Sequence, residues 1–266
     1  MSIPLFLKDI KNNIVLLLVF TFLMSLFLAV IIFMYKPAGA GALLDMLSLL
    51  PATFINILGL SAIDSGLTGF IAGLFYGFLI YLFPLVYVVI LGNRLVAKWV
   101  DDGTFGCLLM TPNSRIKLIV TQGLYMVFSL VVLFAVLFFV GVGVSGYFFP
   151  GMLDTSLFMK LNLCACLMTV TIGLICFFFS CLFNNTRLSL TFGAGIPILF
   201  FVLTMLSGLS EKTAFLGKFS LYTVFNSMAI VSGTTSTVML CSGFIVISLL
   251  VFAAAVAVFG IKRLPV

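Results

Sequence analysis

The residues able to do chemistry are few and scattered. Among 266 positions there are no histidines, seven acids and thirteen Lys or Arg residues. Six cysteines, Cys107, Cys164, Cys166, Cys176, Cys181 and Cys241, are the softest metal ligands available. A zinc site needs them in C-x-x-C pairs or completed by histidine, and neither pattern occurs. Cys164 and Cys166 are two apart, which on a helix turns them to different faces, so the cysteines read as small apolar packing residues. The single glutamate, Glu211, cannot supply paired carboxylates. A serine nucleophile needs a neighbouring base, and no His or Lys lies within the long uncharged stretches. These facts argue against an enzyme and against a metal or organic cofactor held by this chain.

Ion-driven carriers place Asp, Glu or His inside the membrane as relays or cation ligands. The uncharged stretches hold none, although hydroxyls and carbonyls could still bind sodium. No filter motif or charged ring suggests a selective channel. There is no G-x-x-x-x-G-K-[ST] phosphate loop either. Uphill transport by this chain would therefore require a separate subunit that hydrolyses nucleotide, and a docking element for it.

One stretch is suited to docking. Residues 92–117, GNRLVAKWVDDGTFGCLLMTPNSRIK, form the longest clearly charged segment. Asp101, Asp102 and Gly103 make a turn signal, and Thr104 can cap a short helix. Phe105, Leu108 and Leu109 fall on one face at i, i+3, i+4 spacing. Pro112 ends that helix, and Ser114, Arg115 and Lys117 lead onward. Periodicity alone leaves two partners open for the apolar face: a groove on another protein or the lipid surface.

The elements that must position this stretch follow from the length of the uncharged runs. Apolar residues make up 64% of the chain and charged residues 8%, where soluble domains carry about 25% charge. Runs 12–35, 66–93, 118–153, 161–186, 188–210 and 219–261 contain no Asp, Glu, Lys or Arg. Each can cross a bilayer core, which needs roughly 20 apolar residues as a helix. The expected fold is all-α and polytopic, one transmembrane domain over 1–266. Its six spans are placed at about 14–35, 67–91, 118–142, 161–183, 188–209 and 238–261. A β-barrel would show shorter alternating segments. The first run reads as a retained span, because it exceeds the apolar core of a signal peptide.

Residues 2–13 read as an N-terminal interfacial helix, with Ile3, Phe6, Leu7 and Ile10 at helical spacing and Lys8 and Lys11 polar. With six spans, nine Lys or Arg lie on one side and four on the other. The positive-inside rule then puts both ends in the cytoplasm. The stretch 46–63 is long enough to cross, but crossing would move Lys8 and Lys11 to the other side and weaken the charge bias to eight against five. It is assigned outside, re-entrant or interfacial, as is 221–231. Gly69, Gly73 and Gly77 form a repeated GxxxG in the second span, a close-approach surface for another helix. The net charge of +6 is too thinly spread for a nucleic-acid surface.

The run RLVAKWVDDGTFGCLLMTPNSRIKLIVTQ resembles the cytoplasmic loop of ABC-2-type permeases, the membrane subunits of one class of ATP-binding-cassette transporters. Asp101, Gly103, Thr104, Leu108, Leu109, Pro112, Ser114 and Arg115 match the family pattern. LLDMLSLLPATFINILGL with SGLTGFIAGLFYG, and KFSLYTVFNSMAIVSG, resemble the same permeases more weakly. Trp99 stands where the family usually has a glutamate.

The resemblance implies a cytoplasmic coupling helix between spans two and three. It also implies a second permease copy, as homodimer or heterodimer, and two cytoplasmic ATPase subunits that bind ATP and Mg. The expected function is export of an amphipathic peptide, drug or lipid-like substrate across the plasma membrane. Two other classes stay open: a non-transporting scaffold or immunity subunit, and an ion-coupled or passive carrier.

Overall fold

The computed structural model describes residues 2–35, 66–101, 114–208, 211–234 and 236–261. Among them every long element is a helix, as expected where lipid offers backbone groups no partners. We label them α1 (Ile3–Met34), α2 (Leu67–Asp101), α3 (Arg115–Phe148), α4 (Thr155–Leu182), α5 (Thr186–Ser207), α6 (Leu221–Val224), α7 (Ser227–Val231) and α8 (Thr237–Ile261). Among the described residues, six of these are long and apolar enough to span a membrane: α1 to α5 and α8. The chain is an all-α, multi-pass membrane protein in its architecture. The stretch 46–63 lies outside the described residues.

Short polar side chains start the helices. Ser114 Oγ accepts the Lys117 N–H at 3.3 Å and opens α3. The Asp154 carboxylate accepts the Ser156 and Leu157 N–H groups at 3.0 and 3.1 Å and opens α4. Asn185 Oδ1 accepts the Arg187 N–H at 2.8 Å and opens α5. Each cap satisfies a donor that the first helical turn leaves unpaired. Between α3 and α4 the chain turns at Gly151, whose φ of +78° favours glycine.

The bundle is arranged around α4. In its most apolar stretch 72% of residues are buried, against 17% in α1, α5 and α8. α4 touches α2, α3, α5 and α8, while α1 packs on α3 and α2. Lipid tails are as apolar as the helices, so polar ties and close packing must hold the bundle together. Tyr76 Oη of α2 donates to Asn162 Oδ1 of α4 at 3.0 Å, and Asn162 Nδ2 donates to the Phe134 carbonyl of α3 at 2.9 Å. The Thr171 and Ser248 hydroxyls join α4 to α8 at 2.9 Å. Cys176 Sγ donates to the Gly193 carbonyl, joining α4 to α5 at 3.0 Å.

Close approach occurs at glycines the sequence did not single out. A Cβ on Gly141 of α3 would stand 2.5 Å from Phe158 Cζ, and one on Gly123 would stand 2.3 Å from Phe252 Cε2. At Gly173 of α4 a Cβ would meet Met126, Val88 and Leu130 at 3.3 to 3.4 Å.

Several boundaries move. The N-terminal interfacial helix is not a separate element: residues 3–34 form one unbroken helix. Asn12 and Asn13 do not break it, because Asn13 Nδ2 donates back to the Asp9 carbonyl at 3.1 Å. The side that this first part of α1 turns to the bundle is not its apolar stripe. Ile3 and Leu7 are exposed, whereas Leu5, Asp9 and Asn13 are buried. α2 continues ten residues past the expected end at 91, to Asp101, and α3 begins at Arg115 and runs to Phe148. Residues 221–231 fold as α6 and α7, two short helices with Tyr222, Phe225 and Ile230 buried between them and the bundle.

Candidate functional site

Among the described residues, two segments leave α for π geometry, and both lie on α2. At Phe75–Leu79 and again at Asn93–Ala97 the helix widens to π geometry. Such segments insert a residue into the helical register and recur at functional sites.

The segment at Asn93–Ala97, called inner only for the side its loop is expected to face, leads to the expected coupling loop. Leu95, Val96, Ala97 and Val100 are buried, so the charged continuation of α2 is packed rather than frayed. The Ala97 N–H is satisfied by Ser180 Oγ of α4 at 2.9 Å. Lys8 of α1 lays its ammonium over the Trp99 ring, 5.0 Å from the centroid, a cation–π contact between α1 and α2. Trp99 thus ties the first helix to the helix that enters the loop. Asp101 ends α2, and Ser114 and Arg115 begin α3. These three flank the loop. Asp102, Gly103, Thr104, Phe105, Leu108, Leu109 and Pro112 lie outside the described residues.

The segment at Phe75–Leu79, called outer on the same expectation, borders a cavity of about 180 Å³. Its wall is aromatic: Phe78 and Tyr81 from α2, Phe201 from α5, and Tyr222 and Phe225 from the α6 region. Tyr81 and Tyr222 meet edge to face with centroids 5.0 Å apart. Thr204, Thr223, Asn226 and Ser227 add hydroxyl and amide groups.

The cavity wall is fixed by hydrogen bonds. Tyr81 Oη donates to the Phe225 carbonyl at 3.0 Å. Ser220 Oγ donates to the Phe200 carbonyl at 2.7 Å and shares a 2.7 Å hydrogen bond with the Thr204 hydroxyl. Burial pushes the Tyr222 phenol above its ordinary range, so it stays neutral. Among the described residues, those lining it include no Asp, Glu, Lys or Arg. Such a site recognises by apolar contact and neutral hydrogen bonds, which suits an amphipathic molecule.

The three glycines of the GxxxG repeat have different surroundings. Gly69 and Gly73 are buried in the first, α-helical part of α2. Gly77 falls within the π segment and lines the cavity. Cys164, Cys166, Cys176 and Cys181 pack in the apolar core, as expected, and some also make polar contacts. Besides the Cys176 tie, the Cys164 and Cys241 thiols face each other at 3.3 Å between α4 and α8. Among the described residues, no three His, Cys, Asp or Glu side chains gather as a metal site would require.

Sequence reasoning missed the aromatic cavity, Ser180 and Asp9. The apolar stretch 221–231 between a charged loop and the last span was the one signal pointing to the cavity. No family model matches this chain, and no curated protein or solved structure matches it.

Proposed function

We propose that the chain is the transmembrane permease subunit of an ATP-driven exporter, energised by separate cytoplasmic ATPase subunits through residues 102–113. One observation carries the reading. α2 is a continuous 35-residue helix and α3 a continuous 34-residue helix, each about 50 Å long, whereas a bilayer core is about 30 Å thick. On α2 the excess bears Arg94, Lys98 and Asp101 and stays packed through Ser180 and the Lys8–Trp99 contact. A charged, packed end of α2 that runs past the apolar belt supports a docking role for the loop it leads into. A docking element needs such an end, whereas an interfacial helix resting on lipid does not.

The substrate class follows from the outer cavity. Aromatic walls and neutral hydroxyls favour an amphipathic peptide, drug or lipid-like molecule over a charged or strongly hydrated one. The weakly covered faces of α1, α5 and α8 leave room for lipid and for a second permease copy. The membrane would be the plasma membrane, with both ends of the chain cytoplasmic.

The test is affinity purification of the tagged chain from cells carrying its native gene neighbourhood, with mass spectrometry of what accompanies it. A stoichiometric nucleotide-hydrolysing subunit is expected, lost in Leu108→Asp and Leu109→Asp variants that still insert normally. If the chain purifies alone, or the ATPase stays bound to both variants, the reading fails.

A further inference from the structure

α1 buries a carboxylate. Asp9 is 2% exposed and faces α3, where Gln122 is also buried. Gln122 Nε2 donates to Asp9 Oδ1 over a long 3.4 Å. The other oxygen of each group, Asp9 Oδ2 and Gln122 Oε1, is sealed from solvent and has no hydrogen-bond partner. An ionised carboxylate offers only acceptors, and an amide oxygen is an acceptor too. No arrangement of the ionised pair can satisfy both. A single proton resolves it: on Oδ2 it becomes a donor to Oε1. The acid and the amide then close a ring of two hydrogen bonds.

We propose that Asp9 is held as a neutral carboxylic acid paired with Gln122, and that this pair is a proton-operated latch between α1 and α3. On its own helix, Lys8 directs its ammonium over Trp99 of α2, 5.0 Å from the ring centre; its charge favours the ionised acid, but burial of the carboxyl opposes this and is the larger effect. From α3 the Tyr125 phenol interacts with Asp9, and also with the Tyr87 phenol of α2. Neither phenol supplies a compensating positive charge. An unpaired buried carboxylate would be costly, whereas the neutral acid is satisfied by one amide.

The latch sits beside a second tie, the Ser2 N–H donating to Thr121 Oγ1 at 2.9 Å. Thr121 and Gln122 are in the second turn of α3, the helix that leaves the 102–113 loop. Loss of the proton breaks the ring, leaves a buried charge, and loosens α1 from that turn. The inference rests on the α1–α3 geometry and is independent of the exporter reading.

The experiment uses the full chain in lipid nanodiscs. A carboxyl whose acid form the fold favours gives stability that is complete at acid pH and lost as pH rises. Wild type is expected to lose about 5 °C of Tm as pH rises from about 5 to about 8. Asp9→Asn keeps the ring through its own amide donor, so its profile should stay flat at the wild-type acid-side value. In parallel, infrared spectra of wild type with carboxyl-labelled aspartate should show an acid carbonyl band that disappears with alkali. This measurement needs no variant to fold. Three results would overturn the proposal: a flat wild-type profile, an Asp9→Asn profile that parallels wild type, or stabilisation of wild type at about pH 8 by sodium or potassium alone, which would mark a cation site.

Discussion

At Phe75–Leu79 and at Asn93–Ala97 the same helix makes the same departure from α geometry, and the surroundings of the two segments differ. The inner one is closed. Its residues Leu95, Val96 and Ala97 are buried, and the Ala97 amide is bonded to Ser180. The outer one is closed on one side only. Tyr76 is locked to Asn162 and lies edge to face with Phe158, which in turn stacks on Phe138 and contacts Gly141. On the other side Gly77 and Phe78 border the cavity. A wide turn thus serves two ends. Where a neighbour supplies a hydroxyl it fixes the direction of the helix that follows, and where it meets glycine and a ring wall it leaves room.

The comparison can be broken most severely at the inner turn. Deleting Val96 removes the extra residue, so residues 98–101 should rotate by about 100° relative to the membrane part. Trp99 would leave Lys8, and the loop would be presented in the wrong direction. The expected result is full loss of ATPase co-purification with normal membrane insertion. Unchanged co-purification would show that the inner turn does not aim the loop.

Next in size is the locked side of the outer turn. Gly141→Leu drives a side chain into Phe158 and should destabilise by about 3 kcal/mol. Gly143→Leu, where nothing lies within 4 Å of the added Cβ, serves as its control. Thermal unfolding in detergent separates the two. Equal Tm values would remove the ring stack as a support of the outer turn.

Ser180→Ala leaves the Ala97 amide buried without a partner and should cost about 2 kcal/mol. Smallest in stability is Gly77→Leu, which fills cavity space instead of breaking a contact. Its Tm should move by less than about 1 kcal/mol in equivalent stability, while binding of amphipathic peptide or dye falls several-fold. A large loss of Tm with intact binding would make the cavity a packing gap.

The spans were legible in the sequence because an uncharged run of twenty or more residues has few other fates. Their ends were not. Helix continues past the apolar run wherever something packs on it, and the partners of residues 92–101, Ser180 and Lys8, are 83 and 91 positions away in sequence. The side that α1 turns to the bundle was hidden for a related reason. Ile3, Phe6, Leu7 and Ile10 make a regular stripe, but the register is decided by Gln122 and Thr121 of α3, which periodicity within α1 cannot see.

The close-approach glycines were equally hidden. Among 23 glycines, Gly123 and Gly141 carry no spacing signal, while Gly69, Gly73 and Gly77 do. The cavity was concealed by the π turn itself, since it shifts Gly77 out of the register that a GxxxG reading assumes.

The most direct test of the coupling assignment is photocrosslinking from position 108, with a photoreactive amino acid in place of Leu108, in native membranes. The account predicts a crosslink to a nucleotide-hydrolysing subunit whose yield changes when ATP is added. Crosslinks to lipid alone would contradict it and return residues 102–113 to the membrane surface.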